Sequence, residues 1–211
     1  AGKPNRPQEP ESSLGYKTEE VTFTNQKAHV SLAGTLTYPV NYTPDKKVPV
    51  VIMVTGSGAQ NRDEEVFAHK PFRVIADYLA KQGIASLRYD DRGVGQSTGN
   101  QAGCTSADFA EDAACGLSWL KSSGKFNQVG ILGHSEGGLI AFMLGAEGKA
   151  DFLVSMAGPG IKGDSLLVEQ QNALFKLKGI PSNVSVSTLR KSMATQPGNV
   201  WLEYFMDYDP R

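Results

Sequence analysis

The sequence lacks any apolar stretch long enough to cross a membrane, and it lacks an excess of either charge. A membrane-spanning helix needs about 20 consecutive apolar residues, and no such run occurs in the 211 residues. The 21 Lys and Arg residues nearly balance the 22 Asp and Glu residues, which gives a formal net charge of −1. Nucleic acids and anionic membrane surfaces attract basic proteins, so neither is predicted as a partner.

Cysteine is also scarce, with one residue at position 104 and one at 115. The residue pattern predicts a helix over 106–121, which would separate Cys104 and Cys115 by roughly 16 Å along its axis. A disulfide needs Cα atoms within about 7 Å of each other. We therefore expect two free thiols, which do not indicate a cellular compartment.

The order of apolar segments predicts an α/β fold with an arm, a core and a helical appendage. Residues 1–17 are rich in proline and polar groups and are expected to form an extended or disordered arm. Residues 18–160 alternate short strands with amphipathic helices, which is typical of a doubly wound, mostly parallel sheet. The predicted strands are an antiparallel edge pair at 20–24 and 28–38, then 48–54, 84–89, 129–134 and a buried strand at 152–156. The predicted helices are 71–82, 106–121 with Ser106 as its cap, and one that follows residue 135.

After residue 160 the pattern changes, and no further strand is evident. Residues 165–178 form an amphipathic pattern, 181–196 predict another helix, and 201–208 are rich in aromatic residues. We interpret 161–211 as a helical lid over an apolar site. The alternative is a set of helices that simply pack on the sheet.

A serine lies between two glycines where a predicted strand meets a predicted helix. Gly133, Ser135 and Gly137 fit G-x-S-x-G, the pattern of a nucleophile elbow. Such a turn lifts the serine Oγ above the strand ends, and the start of the helix favours developing negative charge there. Ser135 is the predicted nucleophile, and a side chain at position 137 is expected to collide with the incoming strand. The alternative is a chance glycine–serine turn.

Two further segments, together with the elbow, match a known family. Residues 55–64 read TGSGAQNRDE, residues 90–95 read DDRGVG, and residues 133–138 read GHSEGG. In this order they resemble bacterial esterase-like hydrolases of the α/β-hydrolase superfamily, which carry an HGSGPQDRDE-type loop. Thr55 stands where that loop has histidine. The resemblance extends from about residue 20 onward and implies an α/β-hydrolase fold and hydrolysis of small acyl esters, in proteins that are often exported.

The resemblance also implies an oxyanion hole made by the backbone N–H groups of Ser57 and Glu136. The chemistry agrees, because Glu136 starts the helix after the nucleophile and the loop after strand 48–54 reaches the same sheet edge. For Arg62 and Asp63 two interpretations stay open: they order the pocket or contact substrate, or they lie in a solvated turn. No metal is needed for this chemistry. No cofactor is predicted, because the glycine-rich loop lacks both the dinucleotide-binding spacing and the phosphate-binding lysine.

A catalytic acid and a histidine are missing after the elbow. The triad of this fold follows the order serine, acid, histidine, but no histidine follows Ser135. His29 lies in an edge strand, His69 precedes a helix, and His134 is expected to point away from the Ser135 Oγ, so all three are poor substitutes. We expect residues 1–211 to be the N-terminal part of a longer protein, with the acid and the histidine on a further segment of the same or a separate chain. Strand 152–156 would then be an open apolar edge, which favours aggregation.

The predicted function is a serine hydrolase that cleaves small-molecule carboxylic esters through an acyl-enzyme on Ser135. The alternatives are a serine peptidase of the same fold and a catalytically inactive binding or scaffold protein. Alone, the 211-residue piece is expected to show at most trace activity, because a serine without its base is a weak nucleophile. The proline-rich start without methionine predicts a periplasmic or secreted protein, and otherwise a cytoplasmic one.

Overall fold

The computed structural model describes residues 5–10, 15–195 and 198–211. Its strands are β1 (Thr18–Asn25), β2 (Val30–Thr37), β3 (Val48–Val54), β4 (Ala85–Tyr89), β5 (Phe126–His134) and β6 (Leu153–Met156). In the described ranges they form one six-stranded sheet in the order β1-β2-β4-β3-β5-β6.

The sheet is antiparallel at one edge and parallel through the rest. β1 and β2 form an antiparallel hairpin, and β2 pairs antiparallel with β4. β4, β3, β5 and β6 are parallel to one another. The predicted edge pair and the mostly parallel sheet are thus confirmed. Because four strands run in the same direction, the loops that follow them meet at one edge.

Six helices occur in the described ranges, and the first three of them cover the two faces of the sheet. They are α1 (Pro71–Lys81), α2 (Ser106–Ser122), α3 (Glu136–Ala146), α4 (Gly163–Leu177), α5 (Val186–Ala194) and α6 (Val200–Asp207). Phe72 of α1 packs in one core cluster with Met53, while Leu117 of α2 and Ile140 of α3 pack in a second cluster with Ile52. Neighbouring residues of β3 point to opposite faces, which explains why this strand is apolar without alternation. No helix of the described residues is long and apolar enough to cross a membrane.

The start of α2 differs from the prediction by one residue. Thr105, not Ser106, is the cap, and it forms a reciprocal capping box with Asp108. Ser106 is the first helical residue, and its buried hydroxyl donates to Oε1 of Glu136 at 2.6 Å. The side chain predicted to cap the helix therefore connects α2 to α3. Cys104 and Cys115 are free thiols, as predicted.

β6 is the outer strand at the parallel edge of the described sheet. Leu153 is 40% exposed and Val154 is 42% exposed, so the prediction of a buried strand is wrong. A strand with neighbours on one side only leaves half of its surface uncovered. The edge is apolar and open in the described residues, in agreement with the expectation for this segment.

The three helices after β6 are held together by ionic contacts. Nη2 of Arg190 in α5 lies 2.6 Å from Asp164 of α4 and 2.7 Å from Asp207 of α6. The helix predicted over 181–196 begins only at Val186, and Gln196 lies outside the described residues. The aromatic segment 201–208 falls mostly within α6.

The predicted arm is described only in part. Residues 5–10 contain a turn, in which the Glu9 N–H donates to the Arg6 carbonyl at 3.1 Å, so this part is not extended. The Arg6 guanidinium donates to the Phe67 carbonyl at 3.0 Å, which places the turn against the loop between β3 and α1. Residues 1–4 and 11–14 lie outside the described residues.

Candidate active site

Ser135 lies at the junction of β5 and α3 in a backbone conformation that few L-residues adopt. Its φ is 53° and its ψ is −115°, a combination that costs free energy and persists only where the surroundings enforce it. Its N–H donates to the Met156 carbonyl at 2.9 Å, and its carbonyl accepts from the Gly138 N–H at 2.9 Å. Hydrogen bonds to β6 and to α3 therefore hold the turn on both sides.

The two flanking glycines leave room for backbone, not for side chains. A Cβ added to Gly133 would overlap the carbonyl of Gly137. A Cβ added to Gly137 would overlap the Val54 carbonyl and lie 2.6 Å from that of Thr55. The expected collision at Gly137 is therefore correct, but the obstacle is the end of the neighbouring strand β3 and not the incoming strand β5.

The loop after β3 passes directly beside Ser135. A Cβ added to Gly56 would lie 3.3 Å from the Cβ of Ser135, so the backbone before Ser57 is next to the candidate nucleophile. Among the described residues, neither the Ser57 N–H nor the Glu136 N–H has a hydrogen-bond acceptor. Both can donate to a ligand oxygen, and Glu136 also sits at the positive end of the α3 dipole.

Asp91, two residues after the end of β4, holds this loop through two hydrogen bonds. Its Oδ1 accepts from the Thr55 hydroxyl at 2.9 Å, and its Oδ2 accepts from the Gln60 N–H at 3.0 Å. Burial, reinforced by the nearby carboxylates of Glu136 and Asp112, raises the Asp91 pKa to about 7, although the two hydrogen bonds lower it. Thr55, which replaces the histidine of the similar loops, thus has a defined partner.

Asp91 is expected to make the protein less stable as the pH rises. Its pKa of about 7 in the folded state exceeds the ordinary 3.8, so between these values the folded protein holds a proton that the unfolded chain has released. The free energy of unfolding should therefore fall by about 1.4 kcal/mol per pH unit, on the order of 4 kcal/mol through the whole window, and level off above it. Urea denaturation at mildly acidic and mildly basic pH measures the slope. Asp91→Asn should flatten it, whereas Asp45→Asn, which changes an exposed carboxylate, should keep it; an unchanged slope in Asp91→Asn would contradict the prediction.

Arg62 and Asp63 anchor the loop to the sheet. The Arg62 guanidinium donates to Asp90 through Nε at 3.1 Å and Nη2 at 2.8 Å, and its Nη1 donates to Glu20 at 2.5 Å. Asp63 forms an ion pair with the buried Arg88 of β4. The sequence left open whether these residues order the pocket, contact substrate or lie in a solvated turn. The structure favours an ordering role, because both side chains bind protein partners. The two residues do lie in a turn, but it is not a solvated one, since the Arg62 side chain is 16% exposed and the Asp63 side chain 18% exposed.

Sequence reasoning missed the contact between α6 and the elbow. The carboxylate of Glu136 is buried, and its Oε1 accepts from Nε1 of Trp201 at 2.7 Å as well as from Ser106. Trp201 also stacks on Phe205, with 5.4 Å between ring centroids. The aromatic composition of 201–208 was a signal for this segment, but nothing in the sequence identified Glu136 as the partner, 65 positions away.

A cavity of about 390 Å³ lies between α6 and the loop after β3 that carries Ser57. Its lining comprises Ser57, Gly58, Gln101, Cys104, Phe109 and Trp201. The loop beside Ser135 therefore borders the cavity, and Phe109 and Trp201 contribute two aromatic side chains to its lining. A cavity with an apolar wall and a few polar groups is the usual form of a small-molecule site.

The histidines of the described residues make no hydrogen bond to Ser135. Nδ1 of His134 lies 2.8 Å from Oε1 of Glu64, a residue for which the sequence suggested no role. His69 exchanges backbone hydrogen bonds with Val66, and His29 lies in the turn between β1 and β2. Within the described ranges no histidine hydrogen-bonds Ser135, and no group of three or more His, Cys, Asp or Glu residues could hold a metal ion.

Comparison with known proteins decides the family. The family model described as serine aminopeptidase, S33, matches residues 70–195, well over half of the chain and including the elbow. The chain belongs to this family. The S33 match does not include the loop at 55–64. The roles of the site residues on that loop are therefore inferred from their geometry and from the resemblance of the motif.

Individual relatives agree with this assignment. The chain is 31% identical to esterase EstD of Thermotoga maritima over 153 residues, which cover 72% of this chain and 36% of that protein. It therefore spans about a third of the length of EstD. Among solved structures, an esterase of Pyrococcus furiosus matches with a TM-score of 0.65 and 19% identity over 96% of this chain and 70% of that one. A hypothetical protein of Pseudomonas aeruginosa matches with a TM-score of 0.62 and 17% identity over 96% and 74%. This S33 member has the α/β-hydrolase fold.

Proposed function

We propose that the chain is the nucleophile-bearing part of a serine hydrolase that cleaves small carboxylic esters. In this mechanism the Ser135 Oγ attacks the ester carbonyl carbon while a base takes the hydroxyl proton. The N–H groups of Ser57 and Glu136 stabilise the negative charge on the carbonyl oxygen. The ester C–O bond then breaks, the alcohol leaves with the proton, and water hydrolyses the acyl group from Ser135.

One observation carries this proposal: a serine in an enforced, strained turn lies beside two N–H groups without acceptors in the described residues. Backbone strain of this kind accumulates at functional sites. The name of the relative EstD supports an ester as the substrate class. The aromatic cavity next to Ser57 supports a small apolar acyl or alcohol group.

We place the base and the acid of the triad outside residues 1–211. Support comes from the histidines, none of which hydrogen-bonds Ser135 in the described ranges. The length of EstD, of which this chain spans 36%, is consistent with a further segment. Helices α4–α6 then act as the lid, because Trp201 of α6 forms part of the cavity wall.

A second candidate function is an aminopeptidase, which the description of the family model favours. Such an enzyme must bind the free amino group of its substrate, usually with a carboxylate. The carboxylates of Glu64, Asp91 and Glu136 near the elbow all accept hydrogen bonds from the protein. Because these three carboxylates already have partners within the protein, an ester is a better supported substrate than a peptide with a free amino group.

The complete protein that carries this chain should be assayed with nitrophenyl esters and with aminoacyl nitroanilides. Turnover of the esters alone supports the proposal, and turnover of the anilides alone would replace it with the peptidase. No turnover of either, with no covalent labelling of Ser135, would favour an inactive binding protein.

Trp201 is expected to limit the length of the acyl group. Trp201→Ala enlarges the cavity, so kcat/KM for a longer acyl ester relative to acetyl ester should rise by about tenfold, the effect of one or two methylenes in an apolar pocket. Trp119→Phe is the matched control, because Trp119 packs near Phe23 on the sheet and not in the cavity. Chain-length profiles with nitrophenyl esters measure the change, and an identical profile in Trp201→Ala would show that the acyl group lies elsewhere.

A further inference from the structure

Glu64 is a buried carboxylate in an unusual position. It lies in the loop between β3 and α1, is 4% exposed, and has a φ of 49°. The ion pairs of the described residues give it no lysine or arginine partner, and its one side-chain partner is the imidazole of His134. A buried carboxylate costs free energy unless hydrogen bonds compensate, so its contacts identify what it does.

One oxygen of Glu64 makes two contacts, and both lead to the candidate active site. Oε1 accepts from the Gly56 N–H at 2.7 Å and lies 2.8 Å from Nδ1 of His134. Gly56 immediately precedes Ser57, and His134 immediately precedes Ser135. A single carboxylate oxygen thus connects the residue before the candidate oxyanion donor to the residue before the candidate nucleophile.

The loop needs such a restraint because its own residues supply only a long hydrogen bond at this point, from Nε2 of Gln60 to the Ser57 carbonyl at 3.4 Å. Ser57 is flanked by Gly56 and Gly58, and glycine has the widest choice of backbone conformations. The direction of the Ser57 N–H depends on the Gly56 backbone, whose N–H is fixed by Glu64. Asp91 holds the loop at Thr55 and at Gln60, but neither contact reaches the peptide between.

We propose that Glu64 is a positioning residue that fixes the Ser57 N–H relative to Ser135, acting through Gly56 and His134. This inference rests on the proposed function for its kinetic consequence. Glu64 touches neither the substrate nor the reacting atoms in this mechanism. His134 serves as the second attachment point on the elbow and not as the base.

The test compares Glu64→Ala, Glu64→Gln and Glu65→Ala in the complete protein, with a nitrophenyl acetate assay. Glu64→Ala should lower kcat by about 10²-fold while KM stays within about threefold, because a displaced oxyanion donor acts in the transition state. Glu64→Gln should recover most of this loss, because its amide oxygen can take the place of Oε1 and accept from both the Gly56 N–H and Nδ1 of His134. Glu65→Ala changes the exposed neighbouring carboxylate and should behave as wild type.

Two kinetic results would overturn the proposal: a kcat for folded Glu64→Ala within threefold of wild type, or a Glu64→Gln variant as impaired as Glu64→Ala. If Glu64→Ala does not fold, Glu64→Asp takes its place. It keeps the charge but is one methylene too short to reach both partners, so its kcat should fall by at least tenfold with KM unchanged.

Hydrogen exchange of the Gly56 amide separates this proposal from the function itself. Without Glu64 the Gly56 N–H loses its acceptor, so exchange in Glu64→Ala should accelerate at least tenfold while the amides of α2 are unaffected. If the wild-type protein neither turns over esters nor reacts at Ser135, the proposed function fails, and the exchange measurement still decides whether Glu64 holds the loop. Unchanged protection of the Gly56 amide would overturn the positioning role in either case.

Discussion

Replacing Ser135 with alanine in the complete protein is expected to abolish covalent labelling by a fluorophosphonate probe and to lower ester turnover by at least about 10³-fold. In the proposed mechanism the strained turn presents the Ser135 hydroxyl to the reacting atom, and the N–H groups of Ser57 and Glu136 stabilise the charge that develops. The probe reacts when a serine oxygen attacks phosphorus and fluoride leaves. Intact-protein mass spectrometry measures the added mass, and peptide mapping locates it.

Ser57→Ala is the informative comparison, because it removes a hydroxyl in the same cavity but keeps the backbone N–H. The label should remain on Ser135 in this variant. Labelling that survives in Ser135→Ala, at Ser57 or at any other residue, would show that the elbow does not carry the nucleophile.

Gly137→Val is expected to prevent folding, or to lower the free energy of unfolding by more than about 4 kcal/mol. Its Cβ would overlap the Val54 carbonyl and approach that of Thr55 to 2.6 Å. Both obstacles are backbone atoms at the end of a central strand, which cannot move without breaking the sheet. Soluble expression and urea denaturation measure the loss.

Gly160→Val provides the matched control, since a Cβ at Gly160 meets no atom within 4 Å and its φ is not in the left-handed region. This variant should unfold within about 0.5 kcal/mol of the wild type. Near wild-type stability and ester turnover in Gly137→Val would contradict the elbow assignment, because that assignment requires position 137 to have no room for a side chain.

The parts of the site that were predictable are those in which local backbone geometry dictates residue type. Gly133 and Gly137 must be glycine because carbonyl groups occupy the space of a side chain, so the elbow is visible in five consecutive residues. The loop at 55–64 was recognised in a different way, from its resemblance to the HGSGPQDRDE-type loop of similar hydrolases. The continuous apolar character of β3 followed from burial on both faces of the sheet.

The parts that were not predictable depend on contacts between distant segments. Glu64 meets His134 across 70 positions, and Trp201 meets Glu136 across 65. Single carboxylates and aromatic residues occur throughout the chain, and no local pattern indicates which pairs will meet. The misplaced cap of α2 is a different error: Thr105 and Ser106 are both suitable caps, but only Thr105 has an acidic residue three positions later to complete a capping box.

The position of β4 in the sheet has a consequence for synthesis on the ribosome. β4 lies between β2 and β3 and is the only strand that joins the β1–β2 hairpin to the rest of the described sheet. A two-stranded hairpin is marginally stable on its own in water. Until residues 85–89 emerge from the exit tunnel, the hairpin and β3 are both translated but have no neighbour to connect them. The β1–β2 hairpin and β3 therefore both keep an unpaired edge while α1 is synthesised. Translation itself delays the docking of the N-terminal hairpin.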